Sequence, residues 1–346
     1  SLQVALDSGA APDLAARAEV CLGRVQGAAG RFSFAGEHFE RAQRLALDLA
    51  AQGRALAGWT DPRLHFNLTA APVARPLPVA GDALPGRVSA SAVQALRDCP
   101  YRFFSRHVLG LREDDELEAE IEKRDYGTWL HAVLHRFHLT REAPGTAQAE
   151  RERLHALAQA VQEEMGLADD EFLPFAAAFD GVAARYVAWL HARDAAGARW
   201  QVGERDCRIR PEALHGVELQ GVIDRIDHVE HGAAVQLIDY KTVKADKLKR
   251  QVREPLEDTQ LAFYAALLSA EVAGPLQACY LALDDDEGVV EVPHAQVRHS
   301  AEVLVRELGS EFSRLRSGAP LPALGEEPTC ELCEARGLCR RDHWPD

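Results

Sequence analysis

The sequence has no run of about 18 apolar residues, so no transmembrane helix is expected. Ser1 to Ala10 carry neither a basic n-region nor a long apolar h-region, so no secretory signal is read there and the expected location is cytoplasmic. No Gly-x-x-x-x-Gly-Lys-[Ser/Thr] loop occurs, so ATP binding by a Walker site is not expected. Met165 is the only methionine, and a chain that begins at Ser1 reads as a piece of something longer. Seven cysteines in 346 residues are too few for a disulfide scaffold. Positive charge is short: 39 Lys and Arg face 54 Asp and Glu, a net −15. That balance argues against general coating of nucleic acid, leaves room for a local basic track, and suits a site built from carboxylates. With 47% apolar and 27% charged residues, disorder as the main state is excluded. The length fits two or three domains, or one large domain with an extension.

Residues 11–57 read as helical. Leu14, Ala18, Cys21, Leu22 and Val25 recur at helical spacing, as do Phe39, Ala42, Leu45, Leu49 and Leu56. Five prolines between 59 and 88 (Pro62, Pro72, Pro76, Pro78, Pro85) forbid a long helix and mark a linker lying across a surface. A helix begins at Ser89-Ala-Ser91, with either serine as N-cap. The acidic stretch Glu113 to Glu122 reads as a solvated face. Helices follow over about 127–141, 148–165 and 171–196. The texture changes at Trp200: 200–210, 217–229 and 234–240 alternate as strands. A helix at 259–270, strands at 276–283 and 289–293 and a helix at 300–316 complete an α/β core, a mixed sheet covered by helices. The expected parts are a helical extension (1–58), the Pro-rich linker (59–88) and the α/β domain (89–346).

The chemistry concentrates in Gly221-Val-Ile-Asp224-Arg-Ile-Asp227 and Leu237-Ile-Asp239-Tyr-Lys241. Asp239 and Lys241 share a strand face, and a hairpin can bring Asp224 alongside them. A lone Asp-x-Lys triplet is usually a surface ion pair. Here the strand is apolar and its neighbour carries further acids. Two carboxylates beside one ammonium at the ends of apolar strands repel and lose hydration. A divalent cation removes that cost, and few hard oxygen ligands suit Mg²⁺ or Mn²⁺. Lys241 is then free to orient a water or help deprotonate it.

With those residues in place, 89–346 resembles the RecB-type branch of the PD-(D/E)XK nuclease superfamily, and most of all the nuclease end of AddB-like repair subunits. Five blocks carry the resemblance in order: Ser91 to Phe104, Gly127-Thr-Trp-Leu-His131, the Asp224/Asp239/Lys241 core, Gln260-Leu-Ala-Phe-Tyr264, and Cys330-x2-Cys333-x5-Cys339. It implies a restriction-endonuclease-like core with helical insertions and a C-terminal Cys-rich metal staple. By resemblance Asp224 and Asp239 ligate the metal, assisted by the Tyr240 carbonyl and by His131 from a helix. Lys241 positions the attacking water, and Glu204 holds a metal-bound water. Gln260 and Tyr264, at i and i+4, share a face toward the site and bind phosphate or brace Lys241. His131, His135 and His138 also share one helical face, but a zincin needs Glu where Ala132 stands.

Cys330-x2-Cys333 is a metal-turn signal, Cys339 adds a third thiolate, and a fourth ligand is needed. By resemblance it is Cys99, and the four hold a [4Fe–4S] cluster; on chemistry alone they suit zinc as well. Cys21, Cys207 and Cys279 read as buried apolar cysteines. Lys241, Lys244, Lys247, Lys249, Arg250 and Arg253 fall within thirteen residues opposed only by Asp246, either a phosphate-tracking element or a solvated basic loop. The resulting expectation is a Mg²⁺- or Mn²⁺-dependent DNA exonuclease acting on single-stranded ends. Its setting would be a helicase–nuclease machine for double-strand-break repair, with an AddA-like helicase subunit as partner and residues 1–58 as a remnant of a helicase-like half. The rival is an inactive Fe–S-stapled DNA-binding or scaffold module.

Overall fold

A computed structural model describes residues 12–28, 32–51, 73–112, 123–254, 256–285, 288–331 and 333–344. The chain divides into two units, Ser1–Ala71 and Pro72–Asp346. The division falls within the Pro-rich stretch. Among the described residues no helix is long and apolar enough to cross a membrane.

The first unit pairs two helices, α1 (Pro12–Ala28) and α2 (Phe32–Ala51). Their contact is built from small residues: Ala16, Ala18, Ala35 and Ala42 are buried, and a side chain at Gly23 would strike the Phe39 ring at 2.8 Å. Glu19 is buried with them and bonds His38 Nδ1 at 2.5 Å. The periodicity located the helices but misjudged their inner face: Leu14 and Val25 are exposed. Cys21 is also exposed, which corrects its reading as a buried cysteine. Two helices bury one stripe each, and alanines fill it here. The acidic stretch 113–122 and residues 52–58 lie outside the described residues.

The second unit is built on a six-stranded sheet. The strands are β1 (Arg87–Val88), β2 (Arg199–Ile209), β3 (Glu218–Val229), β4 (Ala234–Lys241), β5 (Leu276–Asp285) and β6 (Gly288–Pro293). Antiparallel β2 runs along one edge of β3 from Ile209↔Leu219 to Arg199↔His228. The opposite edge of β3 is shared. Parallel β1 pairs at Glu218 and Leu219, and antiparallel β4 pairs from Arg225 to Val229. Between those contacts, 220–224 has no strand partner on that edge among the described residues. β4 pairs with β5 in parallel through Lys241↔Ala282, so its last three residues diverge from β3 while staying in the sheet. The two central strands splay apart at that end.

Helices cover both faces, as the binary pattern requires. Leu237, Ala278, Tyr280 and Ala282 point to one face. There they meet α3 (Ala90–Asp98), α9 (Gln260–Leu268) and α10 (Val297–Arg316). Ile238, Tyr240, Cys279 and Leu281 point to the other face. There they meet α5 (Lys123–Thr140), α6 (Ala147–Met165) and α7 (Asp169–Ala195). Ser89 is the N-cap of α3, accepting from the Ala92 N–H at 3.2 Å. After α3 the chain forms α4 (Pro100–Phe103) and a π turn, Phe104–Val108, neither of which has a periodic signature. The basic stretch after β4 contains a short helix, α8 (Ala245–Gln251). The described part of the Pro-rich segment runs beside 320–323, where Leu321 N–H donates to the Pro78 carbonyl at 2.7 Å.

Candidate active site

The site forms where β3 and β4 part. The last β3–β4 pair is Arg225↔Ile238, so one step further Asp224 and Asp239 face each other across the opening. There the Asp224 carboxylate takes the place of a ladder bond: Oδ2 accepts from the Tyr240 N–H at 2.8 Å. On the other side of β3, Glu204 lies between the pairs Gly203↔Arg225 and Arg205↔Ile223, level with Asp224. Residues level across neighbouring strands share a face, so Glu204, Asp224 and Asp239 form a row across β2, β3 and β4. Glu204 adopts φ +47°, a left-handed conformation that costs a non-glycine residue about 1 kcal/mol. Beside it, any side chain at Gly203 would collide with His135 Nδ1 at 2.8 Å.

His131 closes the opening from α5. Its Nε2 lies 3.2 Å from the Tyr240 carbonyl and its Nδ1 3.5 Å from Asp224 Oδ2. One ligand atom each from His131, Glu204 and Asp224 lie within 4.8 Å of one another. Asp239 turns the other way along the row. Its Oδ2 meets Lys241 Nζ at 2.5 Å, and its Oδ1 accepts from Gln260 Nε2 at 2.8 Å. Lys241 also donates to Gln260 Oε1 at 2.9 Å, and Gln260 Nε2 reaches Tyr264 OH at 3.2 Å. Gln260 is thus a brace, fixing lysine and carboxylate together.

The electrostatics describe a site short of positive charge. Burial, then repulsion from Asp224, pushes the Asp239 carboxyl up to about 7, against the pull of Lys241. Burial and Asp224 likewise raise Glu204. Burial would depress the His131 imidazole, but its bond to Asp224 and the surrounding carboxylates raise it on balance. Lys241 is also raised: burial opposes its charge, and Asp239 more than compensates. Glu204 Oε1 is buried with no hydrogen-bond partner. An orphaned buried carboxylate oxygen, hard oxygen donors and one imidazole nitrogen fit a divalent cation of the Mg²⁺ or Mn²⁺ type.

Other expected residues fall elsewhere. His138 turns away from His131 to Tyr186 OH at 2.7 Å, and His135 packs over Gly203, so the three histidines make no common site. Cys99, Cys330, Cys333 and Cys339 line one small cavity with Tyr101 and Trp344. Cys330 and Cys339 belong to two four-residue helices, α11 (Glu327–Cys330) and α12 (Arg336–Cys339). Cys207 and Cys279 are buried, as their apolar reading expects. Lys244, Lys247, Lys249, Arg250 and Arg253 are on and around α8, which packs against β5 and β6; none lines the groove beside Asp224.

Sequence reasoning missed Tyr280 and Asp258. Tyr280 pairs with Asp239 in the β4–β5 register, so it extends the row into a fourth strand. Its ring lies under Lys241 Nζ at 5.1 Å, and its hydroxyl donates to Asp258 Oδ1 at 2.5 Å. Asp258 also accepts from the Gln260 N–H at 3.0 Å. Only the parallel register, which connects residues 41 apart, could have exposed this.

Comparison with known proteins adds three findings. A family model for the PD-(D/E)XK nuclease superfamily matches residues 87–340. An ATP-dependent helicase/deoxyribonuclease subunit of three Streptococcus agalactiae strains (serotypes Ia, V and III) is 26% identical over 161 residues. That stretch is 46% of this chain but 14% of each relative, so the match spans about a seventh of their length. A solved structure from Eubacterium rectale that carries a provisional exonuclease name covers 83% of this chain and 95% of its own, at 12% identity and a TM-score of 0.39.

Proposed function

Because the chain belongs to the PD-(D/E)XK nuclease superfamily, we propose that it hydrolyses DNA phosphodiester bonds with Mg²⁺ or Mn²⁺, from single-stranded ends, as the nuclease part of a helicase–nuclease machine for double-strand-break repair. One observation carries the reading: His131, Glu204 and Asp224 converge beside a braced Asp239–Lys241 pair, in a chain where such a row is costly without a cation. The distant likeness to the streptococcal helicase/deoxyribonuclease subunits supports a helicase partner, and the repair setting rests on the sequence resemblance to AddB-like subunits.

Asp224, Asp239, His131, Glu204 and the Tyr240 carbonyl are the groups that would hold the cation. When bound, it would supply an acidified water and a counter-charge for the phosphate. Hydrolysis joins the water oxygen to phosphorus and breaks the bond from phosphorus to the sugar oxygen; the water gives up a proton to solvent, and the leaving sugar oxygen takes one up from solvent. Lys241 stays protonated beside Asp239, so it donates hydrogen bonds to that water or to a phosphoryl oxygen and does not accept the water's proton. Gln260 holds the ammonium in line, and Tyr264 holds Gln260. Lys244, Lys247, Lys249, Arg250 and Arg253 would attract DNA from outside the catalytic opening.

The four cysteines would hold a [4Fe–4S] cluster that pins the C-terminal segment to the start of the domain. The four thiols line one small cavity, which supports a shared group; zinc is the alternative occupant on the same ligand set.

The test uses anaerobically prepared protein of measured iron and zinc content, incubated with Mg²⁺ or Mn²⁺. Linear and closed circular single-stranded DNA are offered to the wild type and to Asp239→Ala. The expected result is cleavage of the linear substrate by wild type only. Equal products from both proteins would remove the reading; cut circles would replace exonuclease with endonuclease.

A further inference from the structure

The unpaired stretch of β3 borders a groove of about 600 Å³. This size is typical of ligand clefts and suits one or two nucleotides better than a duplex. Asp224, Gln260 and Tyr264 line part of it, so it is continuous with the candidate catalytic opening. Asp258 lines it too, and the remainder belongs to residues without a role so far, the Asp98 carboxylate among them. Ser89, Ala90 and Ser91 at the start of α3 form one wall, and Gly221 and Val222 on β3 form another. The groove exists because both walls carry small side chains where the sheet lacks a strand. Val222 is an exposed aliphatic residue, 42% accessible, two positions before Asp224 on the same strand. Arg102 and Arg106 also line the groove, and the Glu334 carboxylate orients both guanidiniums, at 3.1 Å from Arg102 Nη2 and in direct contact with Arg106. Arg106 lies within the π turn, an element found disproportionately at functional sites.

Building on the nuclease reading, we infer that this groove is the track for the single strand next to the scissile phosphate. Val222 and the small α3 residues accommodate sugar and base, and Arg102 and Arg106 face the phosphates. Exposed apolar surface next to catalytic carboxylates is a poor match for solvent and a good one for a nucleotide's apolar faces. Guanidiniums already held by Glu334 lose less freedom on meeting a phosphate. Contacts of this kind follow backbone shape and charge, so they carry little base preference.

Two substrates separate this inference from the reading beneath it. The p-nitrophenyl ester of thymidine 5′-monophosphate needs the catalytic opening alone, whereas a labelled single-stranded oligonucleotide needs the track as well. Ser91→Trp fills the groove, and Val222→Glu and Val222→Lys change its charge in opposite directions. The expected result is a fall of about tenfold in the oligonucleotide-to-ester ratio of kcat/KM for Ser91→Trp, the size of one substantial contact region. Val222→Glu should lower that ratio below Val222→Lys, with a gap that narrows in salt. Strand binding in Ca²⁺, read by fluorescence anisotropy, should follow the same order. Wild-type cleavage with ratios and binding unchanged in all three variants would overturn the track and leave the nuclease reading standing. Binding that follows the order in a protein that cleaves neither substrate would uphold the track and remove the nuclease reading.

Discussion

The two faces of the central sheet each hold an ionic cluster, and they are built on opposite terms. On the α5–α7 face, Arg225 is fully buried and each of its nitrogens is matched. Nε and Nη2 grip the two oxygens of Asp227 at 2.7 and 2.9 Å, and Nη1 reaches Tyr186 OH and His138 Nε2, both at 2.8 Å. Arg193 joins Asp227 to Gln236 and Glu291. Burial, with Arg225 beside it, holds His138 well below its ordinary pKa, so it is the neutral acceptor this geometry requires. Two arginines meet two carboxylates there, so the charges balance although Arg193 Nε itself has no hydrogen-bond partner. On the other face, three carboxylates in a row meet a single lysine, and a buried oxygen of Glu204 goes unmatched. Sequence neighbours serve the two clusters alternately, Asp224 before Arg225 and Tyr240 before Lys241, because a strand's side chains alternate. The balanced cluster reads as structure. The unbalanced one reads as a site completed from outside the chain.

The widest gap between the faces should appear in stability. Asp227→Ala leaves Arg225 buried without its carboxylate, a change that costs about 3–5 kcal/mol. Asp239→Asn, at an equally buried position, removes a charge that burial and Asp224 already disfavour. Without divalent cations it should stay within about 1 kcal/mol of wild type in urea unfolding. Equal losses for the two variants would erase the distinction between the faces.

Cation addition should act on one face alone. Asp239, pushed up to about 7, and His131, raised above its ordinary value, take up protons as pH falls toward and below 7, and a cation must displace them. Stabilisation by Mn²⁺, about 2.7 kcal/mol at a hundredfold excess over Kd, should therefore be larger at pH 8 than at pH 6. His138 contributes separately with a definite sign. Its folded pKa is depressed, so its stability is present above about 6.5 and is lost as pH falls below that, with or without Mn²⁺. Calorimetry of wild type and Asp224→Asn at both pH values isolates the cation effect. A Tm shift in wild type that is the same at pH 6 and pH 8, or one retained in Asp224→Asn, would place the cation elsewhere.

These two clusters were unequally legible in the sequence. Asp224, Asp239 and Lys241 stood out because acids interrupt apolar strands at period-two spacing, and His131 and Gln260 stood out only through the family resemblance. The longer helices and the strands β2 to β6 of the second unit were legible because both faces of the sheet are buried under helices, whereas β1, α4, the π turn and α8 are too short to show a period. The Arg225 cluster was not legible, although Arg225 and Asp227 sit inside the same Gly221–Asp227 motif as Asp224. Its partners His138, Tyr186 and Arg193 come from two separate helices, and a sequence does not say which helix covers which face. Glu204 was singled out, but its left-handed backbone leaves no compositional trace. The division of labour between Asp239 and the His131–Glu204–Asp224 group was likewise invisible, since it depends on how far two strands splay.

The smallest expected effect tests where the unbalanced face ends. Tyr280 lies in register with Asp239 and places its ring under Lys241, while its hydroxyl reaches Asp258, which also holds the Gln260 backbone. If that ring only fills space, Tyr280→Leu should lower stability and leave turnover per folded molecule unchanged. If it steadies the ammonium, losing it removes a cation–π contact of about 1 kcal/mol. In that case kcat should drop roughly fivefold with KM unaltered. Tyr280→Phe keeps the ring and loses only the bond to Asp258, so it should recover most of that turnover. Steady-state kinetics on folded protein, with the active fraction measured by Mn²⁺ titration, separates these cases. Equal kcat losses in Tyr280→Phe and Tyr280→Leu would shift the role from the ring to the hydroxyl and its link to Asp258, making the row four strands wide in chemistry as well as in position.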